Sequence, residues 1–170
     1  MTGRRKNGRK GSTILEFVLV GIPIIFIFIC VFEMSRGMWN YHSIAFGVRE
    51  GARYAAMHGV DCNSPHTCQV SIGTITGVIR SNAVGIDPSL VTLTFTPSTG
   101  TATSDTMTNL ASNTTIFPPN TANAQGQIVK ISANYSFRTF LAVFWVGAGQ
   151  GRNYSGTFPL STSSAEPIQF

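Results

Sequence analysis

The sequence predicts an α+β protein in which one long N-terminal helix crosses a membrane and then packs on a small antiparallel β-sheet. Three observations lead to this prediction. A long apolar run follows a basic N-terminus, a helical spacing of small and apolar residues continues beyond it, and short alternating segments occur only later in the chain. Charged residues make up 11% of the 170 residues, against about 25% in typical domains, which excludes an extended disordered chain.

The positive charge of the chain is concentrated at its N-terminus. Five of the 12 Lys and Arg residues precede residue 11, namely Arg4, Arg5, Lys6, Arg9 and Lys10. Without these five, the remaining basic residues balance the 7 acidic ones, so the body of the protein has no formal net charge. We therefore expect no nucleic-acid partner and interpret residues 1–11 as a basic cytoplasmic leader.

The apolar run from Phe17 to Phe32 contains no charged residue. Extended back to Ser12 it is interrupted only by Glu16, and it reaches the roughly 20 helical residues that cross a bilayer core about 30 Å thick. We predict a transmembrane helix over residues 12–33. The alternatives are the core helix of a soluble protein and a cleaved secretory signal. The basic cluster before the run disfavours the first, and the length of the run and the lack of an A-x-A-like site disfavour the second.

The leader also predicts the orientation of the chain. Because positive charge favours the cytoplasmic side, residues 1–11 are expected in the cytoplasm and everything after Met34 on the far side of the membrane. In a bacterium this is a single-pass protein of the inner membrane with an extracytoplasmic C-terminal domain.

Glu16 is the only acidic or basic residue between Ser12 and Phe32. A charge inside a membrane costs about 2.5–3.5 kcal/mol, so such a residue is a functional candidate. Alternatively, it extends to the headgroups from near the helix end. Cleavage between Gly11 and Ser12 would create an α-amino group, with a pKa of about 8, that pairs with Glu16 of a neighbouring copy. A basic leader, Gly11, Glu16 five residues later and an apolar helix resemble the type III signal of type IV pilin-like precursors.

The helical pattern continues over residues 34–58 with a heptad-like spacing of small and apolar residues. Its members are Met34, Met38, Tyr41, Ala45, Val48, Ala52 and Ala55. A second stripe, Gly47, Gly51 and Ala55, has the small-xxx-small spacing that lets helix backbones approach closely. This stripe predicts helix packing, either under the chain's own domain or against another subunit.

Four stretches of this region resemble the TadE-like family, the minor pilins or pseudopilins of the tight-adherence (Flp-type) pilus system. They are GSTILEF at 11–17, Pro23, FEMSRG at 32–37 and REGARYAA at 49–56. The resemblance covers about residues 11–58 and implies a pilin-like fold and removal of the leader by a prepilin peptidase. It also implies as partners other pilin-like subunits and the pilus assembly platform.

The remaining residues, 59–170, are expected to form the small extracytoplasmic domain. Cys62 and Cys68 predict a disulfide, because thiols outside the cytoplasm are usually oxidised. A metal site with His58 and His66 is the alternative, but the paired spacing of structural zinc sites is missing. We therefore expect no metal and no cofactor. Cys30, inside the predicted span, is interpreted as an apolar filler.

The secondary structure of this domain follows from its periodicity. Residues 70–86 have a rough helical face, and Val91–Phe95, Ile128–Phe137 and Tyr154–Leu160 are strand candidates. Residues 97–127 are predicted to be a polar loop rich in Thr, Ser and Asn. The apolar stretch 139–147 is too short to cross a membrane. It is either a buried helix packed against the sheet, which we expect, or a membrane-facing patch.

The sequence contains no paired carboxylates and no catalytic motif, so we predict a non-enzymatic protein. Two functions remain open. The first is a pilin-like subunit that acts in pilus assembly and is processed after Gly11. The second is a permanently signal-anchored module whose outer domain binds an envelope ligand.

Overall fold

The computed structural model describes residues 10–59, 69–139 and 157–169. The chain divides into two compact units, Met1–Arg36 and Gly37–Phe170. In chain order the elements are α1 (Lys10–Ala56), α2 (Ile72–Asn82), a 3-10 turn (Pro88–Leu90), β1 (Val91–Thr96), β2 (Thr103–Thr106), α3 (Met107–Leu110), β3 (Ile128–Arg138) and β4 (Thr157–Pro167). The predicted α+β class, a long apolar helix followed by a small antiparallel sheet, is confirmed.

The first unit consists of the N-terminal part of α1. Its apolar side chains from Ile14 to Phe32 are mostly exposed, as Phe17 illustrates at 77%. Pro23 lies inside α1, and the helix continues through it. Among the described residues α1 alone is long and apolar enough to cross a membrane, and its exposed apolar surface is what a lipid environment would cover.

In the second unit, α1 contributes one face to a hydrophobic core. Ile44, Val48, Ala52 and Ala55 are all at most 1% exposed. This buried stripe coincides with the predicted heptad seam only in its later part, since Met38, a seam member, is exposed. The predicted seam and the buried face of α1 differ in their earlier part because the domain packs against the stripe of α1 that contains Ile44.

The sheet has four antiparallel strands in the order β2-β1-β3-β4. The two central strands, β1 and β3, alternate between buried and more exposed residues, as strands in a one-sided sheet do. The buried face of β1 and β3 comprises Val91, Leu93, Phe95, Val129, Ile131, Ala133, Tyr135 and Phe137. These side chains join those of α1, α2 and α3 in one core, and each large one contributes about 1.5–3 kcal/mol on burial.

The helix α2 begins at a Ser cap and ends near a glycine. The Ser71 hydroxyl accepts a hydrogen bond from the Thr74 backbone N–H at 3.2 Å, which satisfies one of the free donors of the first turn. Its buried face, Ile72, Ile75 and Ile79, lies in the core. The helical face predicted over 70–86 therefore corresponds to this helix.

The polar stretch 97–127 contains more regular structure than a loop. The strand β2 and the single turn α3 both lie within it, and Met107 and Leu110 of α3 are buried in the core. The strand predicted at Tyr154–Leu160 is found over Thr157–Pro167, with residues 154–156 outside the described part. The apolar stretch 140–147 is also outside the described residues.

Candidate functional site

The predicted processing and pairing residues lie at the start of α1. The helix begins at Lys10, so Gly11 and Ser12 belong to its first turn. The first four backbone N–H groups of a helix have no partner within it, so this turn is the least costly to unwind. Glu16 follows Ser12 by about 6 Å along the helix axis, at 1.5 Å per residue, and its side chain is exposed on the surface of α1.

A charged pair follows the apolar segment on the same helix. Arg36 Nη2 donates a hydrogen bond to Glu33 Oε2 at 3.4 Å, so the two form the ion pair that the i,i+3 spacing predicts. The two side chains differ in exposure, since Glu33 is only 5% exposed and Arg36 is 32% exposed. A half-buried pair of this kind interacts more strongly than an exposed one, because water screens it less.

The small-residue stripe of α1 faces α2. A Cβ atom added at Gly47 would lie 2.8 Å from the Ile79 carbonyl oxygen and 3.2 Å from the Ala83 Cβ atom. A Cβ atom added at Gly51 would overlap Ile79 Cγ1. Ala55 is fully buried in the same core. The contacts of this stripe are therefore made under the chain's own domain, where the absence of side chains lets the two helix backbones approach closely.

The exposed face of the sheet forms a shallow polar concavity of about 630 Å³. Its lining on the strands consists of Thr92, Thr94, Ser132, Ala133, Asn134, Ser161, Thr162 and Ser163, with Tyr41 of α1 beside them. The lining is uncharged and presents hydroxyl and amide groups, which donate and accept hydrogen bonds. It holds none of the carboxylate, imidazole or thiol groups used in acid–base or nucleophilic catalysis.

The acidic residues with shifted pKa values cap local structure. A hydrogen bond from the Ser89 hydroxyl, and then one from the Ser89 backbone N–H, hold the pKa of Asp87 below its usual value. The Asn109 side chain, followed by the Thr106 backbone N–H, does the same for the pKa of Asp105. Both carboxylates stabilise turns, and neither lines the concavity.

Most residues of the alternative metal site lie outside the described structure. Cys62, Cys68 and His66 lie outside the described residues, so the predicted disulfide stays a prediction. His58 Nδ1 lies 2.7 Å from the Tyr54 carbonyl oxygen at the end of α1. Cys30 is a half-buried free thiol. Within the ranges that the structure describes, no three His, Cys, Asp or Glu side chains come together to hold a metal ion.

These features define a class of protein: a membrane-anchored chain with one apolar N-terminal helix, which continues into a small α+β domain. The family model for TadE-like protein matches residues 11–53. The resemblance stated from the sequence is thereby confirmed over the helix that carries Gly11, Glu16 and the small-residue stripe. The match suggests involvement in the tight-adherence pilus system. The comparisons with curated proteins and with solved structures returned no match.

Proposed function

We propose that this chain is a non-enzymatic, pilin-like membrane protein that acts in the assembly of a tight-adherence pilus. The observation that carries the proposal is the match of residues 11–53 to the TadE-like family. The matched residues begin at Gly11 and contain Glu16 and the complete apolar segment. This is the region in which a pilin-like subunit is processed and packed.

Processing would take place at the bond between Gly11 and Ser12. A prepilin peptidase adds water across this amide, which leaves a carboxylate on Gly11 and a new ammonium group on Ser12. The described helix supports this step, because the bond lies in its first turn, where the backbone is only partly hydrogen-bonded. Removal of the leader also removes the five basic residues before Gly11, so the mature chain has no basic cluster at its start.

The new ammonium group explains a carboxylate in the apolar segment. Glu16 is exposed on the surface of the isolated helix, where a neighbouring subunit can approach it. Pairing with the Ser12 ammonium of that neighbour neutralises both charges, which matters most in lipid, where an uncompensated charge is costly. The partners are accordingly the membrane, the peptidase, other pilin-like subunits and the assembly platform. The chain then sits in the bacterial inner membrane, N-terminus inside, with its α+β domain outside.

The N-terminus of the native protein tests this function. Mass spectrometry of the chain from membranes that contain the peptidase is expected to find Ser12 as the first residue. A Gly11→Leu variant is expected to keep its leader and to run as a larger protein, because the bulky side chain blocks the cleavage site, whereas Gly8→Leu serves as the matched control and is cut normally. Recovery of the native chain with its leader intact would overturn the processing step.

A second measurement tests the pairing. Glu16→Ala is expected to be cleaved normally but to fail to enter the assembled complex, because the neighbour's ammonium loses its partner. Glu16→Asp, which keeps the charge, is expected to retain part of the assembly. Normal assembly of Glu16→Ala would refute the pairing without affecting the cleavage.

The uncharged concavity favours the second function, a permanently anchored binding module. Its hydroxyl and amide lining would suit a neutral ligand with many hydroxyl groups. The Gly11→Leu variant separates the two functions, since a permanently anchored module keeps its size, location and activity in that variant.

A further inference from the structure

The exposed face of the sheet carries two rows of short polar side chains. In the register of the sheet, Thr92 of β1 lies opposite Asn134 of β3, which lies opposite Ser161 of β4. The second row is two residues away and consists of Thr94, Ser132 and Ser163. Because neighbouring strands are about 4.8 Å apart and each residue rises about 3.3 Å, the two rows cover about 10 Å by 7 Å. All of these side chains line the polar concavity.

Most of these polar groups are available to a ligand. The Thr94 hydroxyl shares a hydrogen bond with the Ser104 hydroxyl at 2.9 Å. Within the described part of the chain, the other side chains of the two rows make no hydrogen bond, namely Thr92, Ser132, Asn134, Ser161 and Ser163. None of them is buried. Each hydroxyl can donate one hydrogen bond and accept others, and the Asn amide can do both, so the rows present an array of open donors and acceptors.

The choice of residues in these rows does not follow from strand formation. Strands favour β-branched and aromatic residues, and Asn is depleted in them. Nevertheless, the central strand β3 places Ser132 and Asn134 in the middle of the face. Their short side chains keep the concavity open, since longer ones would fill it. Departures from local structural preference are expected at functional sites, which favours a binding role for this face.

The charge of the lining limits the class of ligand. Among the described residues, the lining contains no charged side chain, and Lys130 on the same face of β3 lies outside it. An anionic ligand would find no Lys or Arg there, and a cationic ligand no carboxylate. A peptide that binds through apolar anchors is also disfavoured, since Ala133 is the one aliphatic residue of this described lining. The chemistry of the lining therefore indicates an uncharged ligand rich in hydroxyl groups.

We propose that this face of the sheet binds a neutral carbohydrate, an oligosaccharide chain without acidic groups. Sugar hydroxyls both donate and accept hydrogen bonds, as the hydroxyl and amide groups of the two rows do. The ring of Tyr41, which also lines the concavity, suits the apolar C–H face of a sugar ring. The inference goes beyond the proposed pilus function and does not depend on it, because a processed subunit and an anchored module have the same sheet.

A carbohydrate array tests the ligand class with the full chain. The chain is labelled and applied in a zwitterionic detergent without a sugar headgroup, so that the detergent cannot occupy the site. The array holds neutral glucans, mannans, galactans and chitin oligosaccharides beside acidic chains that carry uronate or sulfate groups. We expect binding to at least one neutral class and no preference for the acidic ones. Because the lining is uncharged, this binding is expected to stay constant from about 0.05 M to about 0.5 M NaCl.

Two tyrosine substitutions on one strand test the location of the site. Ser132→Tyr fills the concavity and is expected to weaken binding by about tenfold or more. Ser136→Tyr is the matched control, because Ser136 lies on the same face of β3 but outside the lining, and it is expected to bind as the parent does. Tyr is favoured in strands, so both variants are expected to keep the thermal unfolding midpoint of the parent.

Two smaller substitutions test the polar groups themselves. Asn134→Ala removes an amide that both donates and accepts, and it is expected to weaken binding by about tenfold. Thr92→Val keeps the shape of the side chain and its strand preference but loses the hydroxyl, and a loss of about threefold is expected. These two variants decide the question if Ser132→Tyr lowers the unfolding midpoint.

Every other outcome overturns the proposal. If no neutral carbohydrate binds, the ligand class is wrong. A preference for acidic chains, or binding that weakens as salt rises, means that charges outside the concavity hold the ligand. Equal losses in Ser132→Tyr and Ser136→Tyr, or binding like that of the parent in both Asn134→Ala and Thr92→Val, place the contact elsewhere. An intact leader on the native chain would disprove the processing step alone and would leave this site unaffected.

Discussion

The close approach of α1 and α2 gives the sharpest test of the domain packing. In Gly47→Ala the new Cβ atom would lie 2.8 Å from the Ile79 carbonyl oxygen, which is backbone and cannot rotate away. Overpacking of this kind costs about 1–3 kcal/mol, while alanine in place of glycine in a helix gains about 1 kcal/mol. We expect a net loss of about 1 kcal/mol in the free energy of unfolding.

Gly77→Ala is the matched control, because Gly77 lies in α2 and its added Cβ would meet nothing within 4 Å. This variant is expected to gain about 0.5–1 kcal/mol. The assay is thermal unfolding of the detergent-solubilised chain by circular dichroism, where 1 kcal/mol corresponds to about 4 °C. The reasoning is refuted if the two variants shift the midpoint in the same direction by the same amount. In that case the stripe is free in the isolated chain and available to another subunit.

Three further predictions follow from polar groups of the second unit. The Thr76 hydroxyl is buried and has no hydrogen-bond partner within the described residues, so Thr76→Val is expected to raise the free energy of unfolding by about 1 kcal/mol; an unchanged urea midpoint would mean that the hydroxyl is satisfied. Ser71→Ala removes the cap of α2 and is expected to cost about 1 kcal/mol, whereas Ser71→Asp, which also caps, is expected to restore most of it in the same urea titration. Because the folded-state pKa values of Asp87 and Asp105 are lowered below 3.8, their contribution to stability is present above the unfolded pKa and is lost as the pH falls through the folded pKa. The free energy of unfolding is therefore expected to fall less between pH 6 and pH 2 in the double Asp→Asn variant than in the parent. Equal decreases would contradict the capping role.

The elements that the sequence predicted are those with apolar periodicity. The strands β1 and β3 alternate strictly because they are central and bury one face, and α1 is visible from its uninterrupted apolar run. The strand β2 is short and polar on both faces, as an edge strand can be. Because it has no apolar alternation, it was not predicted within the polar stretch 97–127. β4 is also an edge strand. Because its later part is rich in Ser, the sequence predicted a strand only as far as Leu160.

The parts of the candidate site that consist of residues close together in the sequence could be predicted, whereas its tertiary contacts could not. Gly11, Glu16 and the spacing of Gly47 and Gly51 are visible in sequence, but the partner of the glycine stripe is a tertiary contact with Ile79. The burial of Glu33 could not be predicted either, since an i,i+3 ion pair looks the same on an exposed and on a buried helix face.

The hydrogen bond between Gln169 and Ala56 has a mechanical consequence. Gly37 lies at the level where β4 starts, and Gln169 lies just beyond where it ends. A tensile load between these two points acts along β4 rather than across it. The register pairs of β3 and β4 then share the force in shear instead of opening one after another, so this domain would resist a load between Gly37 and Gln169 better than a load that peels β4 from its side.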